Sequence, residues 1–228
     1  MLKKILLTIL LTLSLASDAV GAKLRTVELK GTNTIIFAGE VNEVSVNTFM
    51  RAIIGLRNEL PEKETMYVII ASQGGQYEAG KRILGFMNVV PNTQLICRYC
   101  ASAAGMMFIA SKNKRLVTNG SNIVMHEMYL PKVTALTALN KPVLDSLIVS
   151  SEEFNKMHYS RIGISREAYM KKIKNKLWTV VGTDALKLHL ADEAVLIHCD
   201  DYVKMLAPKT CDPKKDEDGS SSDEDGHK

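Results

Sequence analysis

Apolar residues fall along this chain in two alternating rhythms. Short runs at 24–29 and 34–39 alternate or run apolar and read as strands. Segment 45–60 then places Val46, Phe49, Ile53, Ile54 and Leu56 at helical spacing, with Pro61 after its end. Met66-Tyr67-Val68-Ile69-Ile70-Ala71 is apolar almost throughout and rich in β-branched residues, the pattern of a strand covered on both faces. A helix over about 77–89 follows, then a second buried strand at 93–97 and an apolar helix reaching Ala110. Strand patterns return at 115–117 and 122–126, with Asn119-Gly120-Ser121 reading as a turn between them. Segment 140–176 is helical in pattern, with apolar positions from Val143 to Tyr159, a break at Gly163 and a new start at Ser165. A last helix over 183–190 leads to a final strand ending near His198. Strands alternating with helices predict an α/β fold with a mainly parallel sheet and flanking helices.

Three junctions in this pattern carry chemistry. Ser102 sits where the strand after Thr93 gives way to an apolar helix, and Ala103, Ala104 and Gly105 follow it. At such a junction unpaired backbone N–H groups face whatever the serine holds, and small neighbours admit a substrate backbone. Most serines before apolar helices are simple N-caps, so position alone does not decide between cap and nucleophile. Ser72-Gln73-Gly74-Gly75-Gln76 is a strand–turn–helix junction whose N–H groups suit an oxyanion. It lacks the spacing of a phosphate-binding P-loop. His126 ends the strand after the candidate nucleophile and suits a general base.

Composition narrows the setting. The chain has 228 residues, 46% apolar and 24% charged, enough for one globular domain. Aromatic residues make up only 6%, which argues against a nucleic-acid stacking platform. Residues 1–22 read as a signal peptide: Lys3 and Lys4, a short apolar run, then Val20-Gly21-Ala22 before Lys23. The run is short for a membrane span, and no cysteine follows the cut to take a lipid. A periplasmic or secreted location is expected. The domain is expected over 23–205, with a disordered acidic tail at 206–228, whose part 212–228 holds seven acids and three lysines. Four cysteines in an exported chain favour disulfides, and Cys199 with Cys211 is the expected pair. Cys97 and Cys100 form a single CxxC without a second ligand pair, and read as buried thiols rather than a redox or metal site.

Taken in order, these segments resemble the proteolytic subunit of the Clp protease and its relatives in the Clp-protease/crotonase superfamily. Tyr67 to Gly75 resembles the family's strand and Ser-Pro-Gly-Gly turn, with Gln73 in place of proline. Ala101-Ser102-Ala103-Ala104-Gly105 resembles its nucleophile turn, and Val124-Met125-His126-Glu127 its histidine segment. Gly39-Glu40-Val41 and Asp184-Ala185…Leu190-Ala191-Asp192 fit its opening and closing motifs, so the likeness covers about 34–197.

The resemblance implies Ser102 as nucleophile and His126 as general base, with the backbone N–H groups of Gly75 and Ala103 as an oxyanion hole. The third member departs from the family. Reading on from Arg161-Ile162-Gly163 puts Lys176 where the family has aspartate, and reading back from Asp184 puts Leu177 there. Asn175, one residue away, carries a carbonyl oxygen that can accept from the imidazole. Asp184 is more distant and suits a role at its own helix. The resemblance also implies a homo-oligomer acting on peptide or protein substrates without metal or other cofactor. Export removes ATP and an ATPase partner from reach. The reading is therefore an exported, ATP-independent serine peptidase. Its alternatives are a catalytically degenerate oligomeric scaffold of the same fold and, last, a crotonase-type acyl enzyme acting on a thioester.

Overall fold

The computed structural model describes residues 24–128 and 141–211. Residues 1–22, expected as a signal peptide, and the residues beyond Cys211 lie outside the described residues. Seven strands form one sheet: β1 (Arg25–Leu29), β2 (Thr34–Val41), β3 (Met66–Gly75), β4 (Thr93–Ala101), β5 (Lys114–Met125), β6 (Trp178–Val181) and β7 (Glu193–Cys199). Their order is β1-β7-β5-β4-β3-β2, all parallel, with β6 added antiparallel to the end of β5. The mainly parallel α/β sheet expected from the alternation is present.

The helices follow from the same pattern. α1 (Glu43–Glu59) starts two residues before Ser45, because Asn42 and Ser45 close a capping box. The Ser45 N–H donates to the Asn42 side chain at 3.0 Å, and the Ser45 hydroxyl accepts from the Asn42 N–H at 3.0 Å. α2 (Tyr77–Met87) and α3 (Ala103–Ile109) follow β3 and β4 directly. α4 (Lys141–Ile162) and α5 (Arg166–Ile173) are the two halves of the long helical segment, parted at Gly163.

Both faces of the sheet are covered. Val68, Ile70, Leu95, Val117 and Ile123 turn to the face packed by Val46, Phe49 and Ile53 of α1, Ile83 of α2, Met107 and Phe108 of α3, and Tyr169 of α5. Tyr67, Ile69, Ile96 and Leu116 turn to the other face, closed by Val203 and Ala207. A strand buried on both faces has few polar positions, which is why the β3 run reads as continuous. Arg115 is the exception on β5. It is buried, and its guanidinium meets Asp192 at 2.5 and 3.0 Å and the carbonyls of Ile109 and Leu190 at 3.0 and 3.1 Å. Burial alone would raise the Asp192 carboxyl, but the hydrogen bonds and charge of Arg115 hold it below its ordinary value.

Four sequence expectations change. β5 runs unbroken through Asn119-Gly120-Ser121, where a turn was expected. Between the pairs Cys97↔Val117 and Tyr99↔Asn122, residues Thr118 to Ser121 bulge against Arg98 alone. The bulge holds because the Ser121 hydroxyl donates to the Cys97 carbonyl at 2.5 Å and Arg98 donates to the Gly120 carbonyl at 2.6 Å. Cys97 and Cys100, expected as free thiols, are joined in a disulfide. Bulged Arg98 explains it: skipping one residue brings positions 97 and 100 to the same face of β4. The helix expected over 183–190 is a single turn, α6 (Asp184–Lys187). Finally, ordered structure continues past the expected start of the tail at 206. α7 (Asp201–Leu206) and α8 (Pro208–Cys211) follow β7, and the expected Cys199–Cys211 disulfide ties α8 back to the sheet.

Candidate active site

The site grows from two consecutive strand ends. β3 runs on to Gly75, beyond the expected end at Ala71, because Ser72 is buried with its hydroxyl satisfied on both sides. That hydroxyl donates to the Gly39 carbonyl at 2.5 Å and accepts from the Gly74 N–H at 3.0 Å. Gly74 and Gly75 take φ of +92° and +148°, conformations that favour glycine. Neither has room for a side chain. A Cβ on Gly74 would lie 2.5 Å from the Ala101 carbonyl oxygen, and one on Gly75 would lie 2.4 Å from that of Val41.

β4 ends against this turn. Ser102 has φ 55° and ψ −126°, a sparsely populated conformation for a residue with a side chain. Its N–H donates to the Val124 carbonyl at 3.1 Å and its carbonyl accepts from the Met106 N–H at 3.0 Å. It occupies the N-cap position of α3, yet its side chain makes no capping hydrogen bond. The simple N-cap is therefore not what Ser102 is. It lines a cavity of about 450 Å³ whose walls include Gly75, Ala103 and His126. The remaining wall is mostly apolar, with Met128, Leu147 and Phe154.

His126 follows the last residue of β5, where Val124 pairs with Ala101 and Met125 pairs with Trp178 of β6. Its ring is buried, and its Nδ1 contacts the Glu127 carbonyl oxygen. That contact selects the tautomer with a proton on Nδ1 and leaves Nε2 as the basic nitrogen. His126 also borders a second cavity of about 710 Å³, shared with Glu127, Asn155, Asn175 and Lys176.

Asn175 meets this arrangement through its main chain. It has φ 57°, a conformation asparagine tolerates, and its N–H donates to the Glu127 carboxylate at 2.9 Å. Lys176 and Leu177 line the same second cavity. Asp184 is exposed and pairs with Lys187 at 2.7 Å, away from the imidazole.

Three neighbours of His126 were not singled out in the sequence. Glu127 supplies the carbonyl just described. Asn155 and His158, one turn apart on α4, are both buried. His158 accepts from or donates to the Tyr169 hydroxyl at 2.9 Å, and burial, with a smaller effect of the His126 charge, pushes its imidazole down to about 3. A helical periodicity marks these positions only as core, so no signal in the sequence aims them at the site. Among the described residues no group of three or more His, Cys, Asp or Glu could hold a metal ion.

Comparison with known protein families matches residues 22–196 to the family described as Clp protease.

Proposed function

Because the chain belongs to the Clp protease family, we propose that it is an exported, ATP-independent serine peptidase acting on peptides or envelope proteins. The observation that carries this reading is the single cavity shared by Ser102, His126, Gly75 and Ala103. His126 Nε2 takes the Ser102 proton, and Oγ attacks the scissile carbonyl. The N–H groups of Gly75 and Ala103 stabilise the tetrahedral oxyanion, each contributing about 3 kcal/mol. The protonated ring then gives its proton to the leaving amine, and water completes the cycle by the same route. The Glu127 carbonyl holds Nδ1–H, and Asn175 steadies Glu127 through its own N–H.

Export is supported by the basic-then-apolar start of the chain and by the pairing of all four cysteines, which suits an oxidising compartment. Members of this family typically form oligomers and act on peptide or protein substrates, so a homo-oligomer is the working assembly. One observation favours the second reading, a degenerate scaffold: the contact made by the His126 Nδ1 is to a backbone carbonyl, that of Glu127. A neutral acceptor holds the ring but stabilises imidazolium less, so turnover should be slow.

The test is hydrolysis of a fluorogenic short peptide without ATP by protein recovered from the cell envelope. The peptidase reading expects turnover that Ser102→Ala abolishes, and a mature chain that begins at Lys23. An assembled oligomer without turnover supports the scaffold. Cleavage of an acyl thioester in preference to the peptide would favour the crotonase-type chemistry.

A further inference from the structure

The second cavity behind His126 holds one acceptor that nothing satisfies. Asn155 is only 4% exposed, lines this cavity, and its Oδ1 has no hydrogen-bond partner among the described residues. Buried polar atoms are rarely left so, and one beside a candidate catalytic group calls for a role. The two carboxylates that line the cavity already have partners. Glu152 takes the Arg166 guanidinium at 3.0 Å through both oxygens, and Glu127 takes the Asn175 N–H. Lys176, at the position where the family has aspartate, can only donate.

His126 lines both cavities: Ser102 lines one with it, and Glu127 and Asn155 line the other. The Nδ1 edge therefore faces the side that holds Asn155, since that nitrogen contacts the Glu127 carbonyl. His158, on the same face of α4 as Asn155, is within electrostatic reach of His126.

We infer that Asn155 is a positioning residue for His126: its buried Oδ1 shares the Nδ1 proton with the Glu127 carbonyl when the ring takes the Ser102 proton. Two neutral oxygens thus orient the ring at a site where Lys176 stands at the family's aspartate position. This rests on the peptidase reading for its kinetic consequence but not for its geometry, so one measurement uses no substrate.

The experiment compares wild type, Asn155→Leu and Asn155→Asp in the full oligomeric protein labelled with ¹⁵N-histidine. His126→Ala identifies the His126 Nδ1–H resonance. Leucine fills the same space without the oxygen. It should move that resonance upfield or lose it to solvent exchange, and lower kcat about 10- to 100-fold with KM within about twofold. Aspartate should move the resonance downfield and restore or exceed wild-type kcat. An Asn155→Leu protein with an unmoved Nδ1–H resonance and intact kcat would overturn the inference. Equal impairment by leucine and aspartate would overturn it too, since that marks a merely structural role. If leucine does not fold, an Asn155→Asp resonance at the wild-type position overturns it alone. If wild type shows no hydrolysis at all, the peptidase reading fails while the resonances still decide on Asn155.

Discussion

Gly74 lies so close behind Ser102 that a Cβ at position 74 would sit 2.6 Å from the Ser102 Cβ. The approach joins the two strand ends that make the site, and it explains why the turn after β3 has no side chain there. Gly74→Ala should cost at least about 2 kcal/mol, from its φ of +92° and from the clash together, and should displace Ser102. Gly39→Ala is the control. It shares a positive φ of 90° but has open space around it, so it should cost about 1–2 kcal/mol and leave turnover intact. Urea unfolding and peptide hydrolysis on both variants check this. Equal loss of turnover in the two would show that the contact with Ser102 does not matter.

His158 makes the fold sensitive to acid. Its buried imidazole is pushed down to about 3, while in the unfolded chain it titrates near its ordinary 6.5. Below 6.5 the unfolded state binds a proton that the native state refuses. The group's contribution is therefore fully present above pH 6.5 and is lost as pH falls toward 3, by up to about 1.4 kcal/mol per pH unit. His158→Gln, which can still bond the Tyr169 hydroxyl, removes that linkage. Unfolding free energy between pH 7 and 4 should fall less steeply in the variant. Parallel curves would refute the assignment.

The Cys199–Cys211 disulfide closes the chain end over the sheet face that carries Tyr67 and Ile69, opposite the helices α1 and α2. A loop of this length stabilises by about 3 kcal/mol. The double variant Cys199→Ser/Cys211→Ser should melt several degrees lower by calorimetry, with turnover retained because Ser102 and His126 belong to other elements. A melting temperature equal to that of wild type would show that α7 and α8 hold without the tether.

How far the fold was legible depends on where its information lies. Runs such as Val68 to Ile70 announce themselves, since a strand covered on both faces must be apolar at every position. Thr118 to Ser121 have turn composition yet stay in β5, because the Ser121 hydroxyl donates to the Cys97 carbonyl of β4 and Arg98 of β4 donates to the Gly120 carbonyl. Cys97 and Cys100 look unpairable at a spacing of three in a regular strand, and only the Arg98 bulge changes the parity. β6 is four residues long and exists through its pairing with Asn122 to Met125. The polar stretch at 208–211 looks unable to bury anything, but the covalent tether at Cys211 seats it against the sheet with Thr210 buried. At the site, Ser102, His126 and the two glycines were marked by their places at strand ends. Asn175 was marked as a side chain, whereas its structural contact runs through its N–H. Asn155 could not be marked at all, because which face of α4 meets the imidazole is a property of the packing.

The most direct test of the account is fluorophosphonate labelling of the mature oligomer, with Ser102→Ala and His126→Ala beside it. The probe forms a bond only with a serine activated by a base. Wild type should label at Ser102, identified by mass spectrometry, and both variants should not. A folded, assembled wild-type protein that takes no label, or one that labels equally well without His126, would contradict it.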